Sequence, residues 1–233
     1  MILDPDNKYI QKIHSHAPLT GATVLDVGCG DGKISRNIAE YASRVVATDS
    51  NATVLEQAKQ KNHARNIEFL YTPDGIPDLA AHSFDLVLYT LSLHHIPKDK
   101  MVANLSHSGH LLKDNGKIII IEPSDTGSFM AIKKRFGAGS GDESQERLQA
   151  VDAMKNLAGW TLSLDYHFDV VFQFTDENDF FAHKLPNYQT LPTAELAELK
   201  QFLKRSSTDQ GIILTTGRRL NILTRSEPLK KGK

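Results

Sequence analysis

Short, nearly continuous apolar runs separated by helical patterns constrain the fold of this chain more than any other feature. The runs are rich in β-branched residues and occur at 24–27, 45–48, 67–70, 86–89 and 118–121. Such runs are typical of strands buried on both faces of a parallel sheet. Several of the intervening segments carry apolar residues at helical spacing. The alternation predicts right-handed βαβ units in a doubly wound sheet.

The second half of the chain follows a different pattern. Phe168, Val170, Phe172 and Phe174 alternate with polar residues, and residues 212–224 form a further strand-like segment. Strict alternation has the period of a half-exposed strand, so we expect antiparallel strands at one edge of the sheet. The predicted fold class is α/β, with a mostly parallel sheet of seven strands, an antiparallel edge strand and helices on both faces.

Composition and charge exclude several classes of protein. Lys+Arg 27 against Asp+Glu 28 gives a formal net charge of -1, which argues against binding nucleic acid or an anionic membrane by bulk charge. Because Cys29 is the only cysteine, neither an internal disulfide nor a cysteine-based zinc site is expected. The sequence shows neither a signal-peptide pattern nor an apolar stretch of about 18 residues. We therefore predict a cytoplasmic protein without a membrane span.

A glycine-rich turn directly follows the first apolar run. The segment from Asp26 to Gly32 reads DVGCGDG, and a helical pattern opens at Lys33. Glycines turn the chain tightly and leave no Cβ between the main chain and a bound ligand. The next run ends at Asp49, about 20 residues further on, where a carboxylate accepts hydrogen bonds from a ribose diol. These features predict a nucleoside site at the carboxyl ends of two neighbouring strands.

The glycine spacing distinguishes two kinds of nucleoside. A dinucleotide fingerprint needs glycines at its first, third and sixth positions, but the sixth position counted from Gly28 is Lys33. The glycines present are Gly28, Gly30 and Gly32. Asp26, two residues ahead of the turn, is poorly placed beside a pyrophosphate and well placed beside an ammonium or sulfonium cation. The turn therefore favours a cationic nucleoside.

Segment 26–32 resembles the first motif of class I S-adenosylmethionine-dependent methyltransferases, and Asp49 falls where their ribose-binding acid falls. Residues 83–96 resemble the fourth-strand segment of the ubiquinone/menaquinone-biosynthesis branch, which is also called methyltransferase type 11. Residues 116–123 resemble the fifth strand of that branch. The resemblance covers about residues 20–123. It implies a Rossmann-like fold, S-adenosylmethionine as the cofactor and methyl transfer as the activity.

The resemblance also implies how the cofactor is bound. Asp26 and the backbone of the glycine turn would hold the methionine portion, and Asp49 the ribose. The backbone near Tyr89 and Thr90 would meet the amino group. The predicted cofactor-binding set is Asp26, Gly28, Cys29, Gly30, Gly32, Asp49, Ser50, Asp74, Tyr89 and Thr90. Ser50 is also the predicted N-cap of the following helix. No metal site is predicted.

The adenine-binding position departs from the family pattern. Members usually carry an Asp near the adenine amine, a few residues before a Leu-Pro pair, and the corresponding pair here is 76–77, Ile-Pro. Strict register places Thr72 at that position, and Asp74 lies two residues later. We predict Asp74 as the contact, with Thr72, or a plain turn role for Asp74, as the alternatives.

Two adjacent histidines, His94 and His95, follow the fourth apolar run, on the rim where the methyl acceptor is expected. An imidazole with a pKa near neutrality can remove a proton where the acceptor has to lose one. The alternative is that one of them caps a helix or bonds the backbone. His107 and His110 share a helical face, but no third ligand stands at a matching spacing, so a solvated face is favoured.

The predicted function is in-line transfer of a methyl group to a small-molecule acceptor. Two alternatives stay open, a non-catalytic regulator that binds S-adenosylmethionine or S-adenosylhomocysteine and, less favoured, a nucleotide-dependent oxidoreductase. Nucleic acid is disfavoured as a partner by the charge. We predict a single domain over 1–225 with its core at about 20–123, substrate-covering additions at about 1–19 and 124–210, and a frayed tail at 226–233.

Overall fold

The computed structural model describes residues 1–73 and 75–226, so Asp74 and all but the first residue of the predicted frayed tail lie outside the described residues. The strands are β1 (Ile2–Leu3), β2 (Thr23–Val27), β3 (Arg44–Asp49), β4 (Ile67–Tyr71), β5 (Phe84–Thr90), β6 (Leu112–Pro123), β7 (Trp160–Phe174), β8 (Ser207–Thr208) and β9 (Gly211–Arg225). The α-helices are α1 (Lys8–His16), α2 (Lys33–Ala39), α3 (Ala52–Gln60), α4 (Lys98–Leu111), α5 (Ser128–Phe136), α6 (Ser144–Lys155), α7 (Glu177–Lys184) and α8 (Thr193–Arg205). Short 3-10 helices cover Leu93–His95 and Tyr188–Thr190. No helix within the described ranges is long and apolar enough to cross a membrane.

The described chain divides into two compact units. The core unit consists of Ile10–Glu122, Glu146–Tyr166 and the described residues from Arg219 onward. The accessory unit consists of Met1–Tyr9, Pro123–Gln145 and His167–Arg218. The long strands β7 and β9 contribute residues to both units.

The core unit contains five neighbouring strands in the order β6-β5-β2-β3-β4, and the four pairings among them are parallel. Val24 of β2 lies opposite Val45 of β3 on one side and Leu86 of β5 on the other. The chain therefore builds outward from β2 in one direction and then in the other. In open α/β sheets this reversal leaves a crevice beyond the carboxyl ends of the strands, where ligands bind.

Helices cover both faces of this sheet, as predicted. Leu25 and Val27 of β2 belong to a buried apolar cluster that includes residues of α4 and α6, among them Met101, Leu105, Ala153 and Met154. Asp26 lies between them in the strand and so points to the opposite face. On that face Ser35 of α2 donates a hydrogen bond to Asp26 Oδ2 at 2.5 Å.

The accessory unit is built on antiparallel pairing around an aromatic core. Strand β1 pairs antiparallel with β7, Leu3 lying opposite Phe172, and β8 pairs antiparallel with β9. The buried core of the unit includes Phe129, Ile132, Phe136, Phe172, Phe174, Phe180, Phe181, Leu199, Leu203, Ile212 and Leu214. These pairings confirm the predicted antiparallel edge. The sheet has nine strands within the described residues rather than seven, because β1 and β8 are two residues long and leave no alternation to detect.

The N-cap of α3 differs from the prediction by one residue. Asn51 caps the helix, because its side-chain oxygen accepts hydrogen bonds from the N–H groups of Thr53 and Val54 at 3.0 and 3.2 Å. The assignment of Ser50 as the cap was wrong. Strand β3 continues through Asp49, so Ser50 forms the bend and Asn51 takes the extended backbone that a cap requires (φ -104°, ψ 103°).

Candidate functional site

The glycine turn after β2 leaves no room for a side chain at Gly28 but borders open space at Gly30. Gly28, Gly30 and Gly32 have φ angles of 75°, 55° and 74°, in the left-handed region that favours glycine. A Cβ on Gly28 would lie 2.5 Å from Ser92 Cβ, whereas a Cβ on Gly30 would meet nothing within 4 Å. Gly28 therefore allows β2 and the segment after β5 to pack together, and Gly30 exposes main chain to open space.

Backbone hydrogen bonds hold the turn against the end of β3. The N–H groups of Gly28 and Cys29 both donate to the carbonyl of Thr48, at 2.8 and 2.9 Å. Gly32 opens α2, and a Cβ there would lie 3.1 Å from Ala58 Cβ. The turn is therefore fixed on both sides by the main chain and by close helix packing.

Asp49 is tied to the glycine turn through its carboxylate. Its Oδ2 accepts a hydrogen bond from Gly30 N–H at 2.8 Å, and its Oδ1 accepts one from Asn51 N–H at 2.8 Å. An ionised carboxylate offers about four acceptor sites, so about two remain for a ligand. The side chain is thus pre-oriented at the carboxyl end of β3, where the sequence placed a ribose contact.

Asp26 is a buried carboxylate without a cationic partner among the described residues. It is 1 % exposed, and Ser35 is the only side chain that donates a hydrogen bond to it there. Burial raises the pKa of Asp26 to about 6, and the neighbouring charge of Asp49 adds to the increase. Because the ionised form is disfavoured by its surroundings, a cationic group placed beside it would be bound favourably.

Cys29 is an inert member of the turn. Burial raises the pKa of its thiol well above the ordinary value, and the charges of Asp26 and Asp49 raise it further. The thiol lies 3.7 Å from the carbonyl oxygen of Gly30 and stays protonated at neutral pH. A thiol in this state is a poor nucleophile, so Cys29 acts here as a small residue that fits the turn.

The end of β5 combines a fully engaged tyrosine with an unpaired hydroxyl. Tyr89 is buried, and its hydroxyl donates to Asn104 Oδ1 at 2.5 Å and lies 2.6 Å from Ser108 Oγ. Its side chain is therefore committed to the interior, which leaves ligand contact to its backbone. Thr90 Oγ1 is buried and has no hydrogen-bond partner in the described part of the chain. Buried polar atoms are nearly always paired, so this hydroxyl is a candidate to hydrogen-bond a ligand.

The two histidines have different environments. His94 is 3 % exposed, and its Nδ1 hydrogen-bonds Glu122 Oε2. Glu122 Oε1 also accepts from the N–H groups of Leu93 and His94, at 3.0 and 3.3 Å. His95 is exposed, with its ring centroid 4.0 Å from that of His94. His95 is therefore the histidine of this pair that an acceptor can reach.

A cleft of about 380 Å³ opens in the core unit beyond the carboxyl ends of β3, β4 and β5. Its lining includes Ser50, Gly75, Ile76, His95, Lys100, Asn104 and His107. Asp74, the predicted adenine contact, lies outside the described residues. Its alternative, Thr72, is buried and donates its N–H to the carbonyl of Asp49 at 3.0 Å. The cleft brings Ser50 and His95 together, whereas His94 points into the interior.

The structure adds site residues that the sequence analysis missed. They are Ser35, Ser92, Asn104 and Glu122. Ser35 alone had a local signal, because it lies three residues before Ile38 and therefore on the inward face of the predicted helix. The other three reach the site through contacts between segments far apart in sequence, such as the 2.5 Å hydrogen bond from Ser92 Oγ to the carbonyl of Val27.

Comparison with known proteins agrees with this geometry. Residues 24–116 match the family model of the methyltransferase domain. This segment includes the glycine turn, Asp49 and the end of β5. Over this segment the chain is similar to methyltransferase domains, in agreement with the predicted resemblance to class I S-adenosylmethionine-dependent methyltransferases.

Curated relatives match about half of this chain. The chain is 32% identical over 111 residues to a ubiquinone biosynthesis O-methyltransferase of Xylella fastidiosa, covering 46% of this chain and 44% of that protein. It is 33% identical over 113 residues to an uncharacterized methyltransferase of Mycobacterium bovis, covering 48% and 56%. It therefore spans about half the length of the curated relatives it matches.

Solved structures extend the likeness of the fold beyond the matched domain. A protein of Bacillus halodurans C-125 assigned to the methyltransferases has a TM-score of 0.59 at 18% identity, covering 95% of this chain and 100% of that chain. An S-adenosylmethionine-dependent methyltransferase of Leishmania major has a TM-score of 0.54 at 14% identity, covering 94% and 71%. At these identities the likeness establishes the Rossmann-like fold.

Proposed function

We propose that this protein is an S-adenosylmethionine-dependent methyltransferase acting on a small-molecule acceptor. The observation that carries the proposal is the pair of carboxylates, Asp26 and Asp49, beside a glycine turn at the switch point of the sheet. Both are positioned before any ligand binds, Asp26 by Ser35 and Asp49 by the N–H groups of Gly30 and Asn51.

Three features of the site fit the cofactor. The main chain at Gly30 faces open space, so a ligand can approach it closely. Asp26 carries a carboxylate whose ionisation is disfavoured until a cation lies beside it, and the cofactor contains an ammonium group and a sulfonium. Thr90 Oγ1 is buried without a partner in the described residues, and it lies in the segment predicted to meet the amino group.

The residues of this chain would bind and orient the reactants. When bound, S-adenosylmethionine supplies a methyl group on a sulfonium, which needs no further activation by the protein. Asp49 would hold the ribose and Asp26 the amino-acid portion. Alignment of two reactants contributes about 7–11 kcal/mol to well-oriented reactions, which makes positioning the main task of the site. A base is required only when the acceptor must lose a proton.

A small molecule is the acceptor class that the chain supports best. The formal net charge is -1, and docking a polyanion usually needs a basic surface. The basic run at 133–135 is largely engaged in ion pairs, Lys133 with Glu143 at 3.1 Å and Arg135 with Glu198 at 3.1 Å. The similarity to a ubiquinone biosynthesis O-methyltransferase also favours a small-molecule acceptor.

Titration calorimetry with three ligands tests the proposal. We expect the full chain to bind S-adenosylmethionine and S-adenosylhomocysteine, and to bind NAD at least about 100-fold more weakly. Methyl transfer from labelled S-adenosylmethionine into small-molecule extract fractions is the second measurement. Preferential binding of NAD contradicts the proposal, and tight S-adenosylhomocysteine binding without transfer to any fraction favours a regulator.

His95 is expected to act on the acceptor, and His94 to support the fold. We expect His95→Ala to lower kcat about 100-fold, the range typical of a lost acid–base group, with the Kd for S-adenosylhomocysteine within about twofold. His94→Ala leaves Glu122 buried without its ring partner, so we expect a stability loss of about 3 kcal/mol in chemical denaturation. Turnover near that of the wild type in both variants would show that neither histidine is the base.

The ionisation of Asp26 predicts opposite pH trends for stability and for binding. Its pKa is about 6 in the folded chain against an ordinary value of 3.8, so the folded state holds the extra proton between these values. The free energy of unfolding of the ligand-free protein should therefore fall as pH rises from about 4 to 6, by up to about 3 kcal/mol. Binding of S-adenosylhomocysteine needs the ionised form and should weaken below pH 6, by up to about tenfold per pH unit.

Asp26→Asn is the matched control for both trends. The amide has no proton to lose over this range, so both the stability slope and the affinity slope attributed to Asp26 should disappear. Calorimetric titrations measure the affinity slope and urea denaturation measures the stability slope, each at about pH 4.5, 5.5, 6.5 and 7.5. Equal slopes in the wild type and the variant contradict the assignment.

A further inference from the structure

The accessory unit contains a buried arginine that is bonded only to neutral groups. Arg218 is 3 % exposed, and its Nε donates to the hydroxyl of Tyr9. Its Nη1 donates to Thr216 Oγ1 and to the carbonyl of Gly217, both at 2.8 Å. Within the described residues no carboxylate forms an ion pair with Arg218, and its Nη2 makes no hydrogen bond. A guanidinium buried in this way is costly unless a counter-charge accompanies it.

The N-terminal segment fixes Tyr9, and through Tyr9 the arginine. Asp4 is also buried, but its carboxylate accepts the N–H groups of Lys8 and Tyr9, at 2.9 and 3.0 Å. The ring of Tyr9 packs edge-on against Phe168, with centroids 6.0 Å apart. The carboxylate of Asp4 therefore orders the backbone that carries Tyr9 and makes no hydrogen bond to Arg218 in the described structure.

A second cation, Lys184, lies on the same face of β7. Its Nζ lies 4.1 Å from the ring centroid of Phe172 and 5.5 Å from that of Phe129. Phe168 and Phe172 are four residues apart in one strand, so the rings that contact Tyr9 and Lys184 point to the same side. Burial lowers the pKa of Lys184, and the charges of Arg218 and Lys133 lower it further. The two cations are therefore close enough to repel one another.

Two other basic residues of the accessory unit have acidic partners, unlike Lys184 and Arg218. Lys133 is neutralised by Glu143 at 3.1 Å, and Arg135 pairs with Glu195 and Glu198. Lys184 and Arg218 take part in no ion pair with any residue that the structure describes. Lys184 and Arg218 therefore differ from these two residues in having no acidic partner in the described structure.

We propose that Arg218 and Lys184 bind an oxyanion, a carboxylate or a phosphate. A guanidinium with an unengaged Nη2 and a nearby ammonium match the acceptor atoms of such a group. Lys184 is half-buried, which leaves a route for a ligand. The presence of the oxyanion site rests on the accessory unit alone.

Thermal unfolding of the full chain with sodium phosphate or sodium benzoate, against sodium chloride at equal ionic strength, tests the site. We expect at least one of the two probes to raise the Tm saturably above the chloride reference. Lys184→Met should weaken the response at least tenfold. Lys204→Met, at an exposed lysine of α8 in the same unit, is the matched control and should respond like the wild type.

Arg218→Met adds a readout that a purely structural arginine would not give. The variant removes a buried cation that lacks a counter-charge, so its ligand-free Tm should equal or exceed that of the wild type while the response to the probes is lost. If this variant does not fold, Lys184→Met decides the question. A response to phosphate alone, or to benzoate alone, identifies which oxyanion the site binds.

Two results overturn the inference. One is the absence of any probe-specific rise in Tm, and the other is a Lys184→Met response equal to that of the wild type. Titration with S-adenosylhomocysteine separates this failure from that of the proposed function. Retained S-adenosylhomocysteine binding without a response to either probe overturns the oxyanion site alone. A probe response without S-adenosylhomocysteine binding overturns the proposed function and leaves the oxyanion site standing.

Discussion

Asp49→Ala is expected to weaken S-adenosylhomocysteine binding by at least about 100-fold. The carboxylate would accept two hydrogen bonds from the ribose, and a hydrogen bond to a charged group contributes about 1.5–3 kcal/mol. Loss of both amounts to roughly 3–6 kcal/mol, and each 1.4 kcal/mol corresponds to a factor of about ten. The substitution also removes the acceptor that holds Gly30 N–H at 2.8 Å, so the turn loses part of its pre-orientation.

Asp31→Asn is the control, because Asp31 lies in the same turn and is also acidic. Its Oδ2 forms an ion pair with Lys61 Nζ at 3.0 Å on an exposed surface, outside the proposed site. We expect the Kd of this variant to stay within about threefold of the wild type, since exposed ion pairs contribute little. Calorimetry measures both variants, and circular dichroism checks that both are folded. An Asp49→Ala protein that binds within fivefold of the wild type (roughly 1 kcal/mol) excludes Asp49 as the ribose contact.

The parts of the fold that depend on local pattern were predictable from the sequence. The five apolar runs lie in β2 to β6. Nearly every residue of β2, β3 and β5 is buried, as expected of strands covered on both faces, whereas the edge strand β4 is only partly buried. The alternation from Phe168 to Phe174 lies in β7 for the converse reason. Cap placement failed by one residue, because Ser50 and Asn51 are both good caps and only the end of β3 decides between them.

The sequence predicts where the acids and glycines of the candidate site lie in the fold, but not the contacts that support them. Asp26 and Asp49 stand at strand ends, which the apolar runs locate directly. The hydrogen bond from Ser92 to the carbonyl of Val27 joins residues 65 apart, and Glu122 reaches His94 across 28. Such contacts depend on which strands become neighbours. That follows from the order of the sheet and carries no mark in a local window of sequence.

Arg218 and Lys184 likewise could not be singled out from the sequence. Arg218 looked like one basic residue of many in a chain with balanced charge. Its significance depends on burial beside Tyr9 and on the carboxylates that are engaged elsewhere, and both are properties of the folded accessory unit. The net charge argues against a polyanionic partner, but it has no bearing on the binding of a single anionic group.

Gly28→Ala is expected mainly to destabilise the fold, and Gly30→Ala mainly to weaken cofactor binding. The Cβ that Gly28→Ala adds would lie 2.5 Å from Ser92 Cβ at a φ of 75°, so left-handed strain and overpacking add to a stability loss of about 2–5 kcal/mol. Gly30→Ala meets nothing within 4 Å and should lose only about 1–2 kcal/mol from its φ of 55°. Its methyl group enters the space proposed for the cofactor, so the Kd for S-adenosylhomocysteine should rise at least about tenfold, the equivalent of 1.4 kcal/mol.

A double-mutant cycle isolates the close contact at Gly28. Ser92→Gly removes the Cβ that clashes, and it also removes the hydrogen bond to the carbonyl of Val27. If the clash dominates, Gly28→Ala should cost about 1–3 kcal/mol less in the Ser92→Gly background than in the wild type. Urea denaturation of the four proteins measures this coupling. The stability losses of Gly30→Ala and Ser92→Gly should be additive, because a Cβ added at Gly30 contacts no atom of Ser92. Equal stability of the two alanine variants would mean that the turn relaxes around the methyl group added at Gly28, and that the closeness of β2 to the segment after β5 does not require glycine.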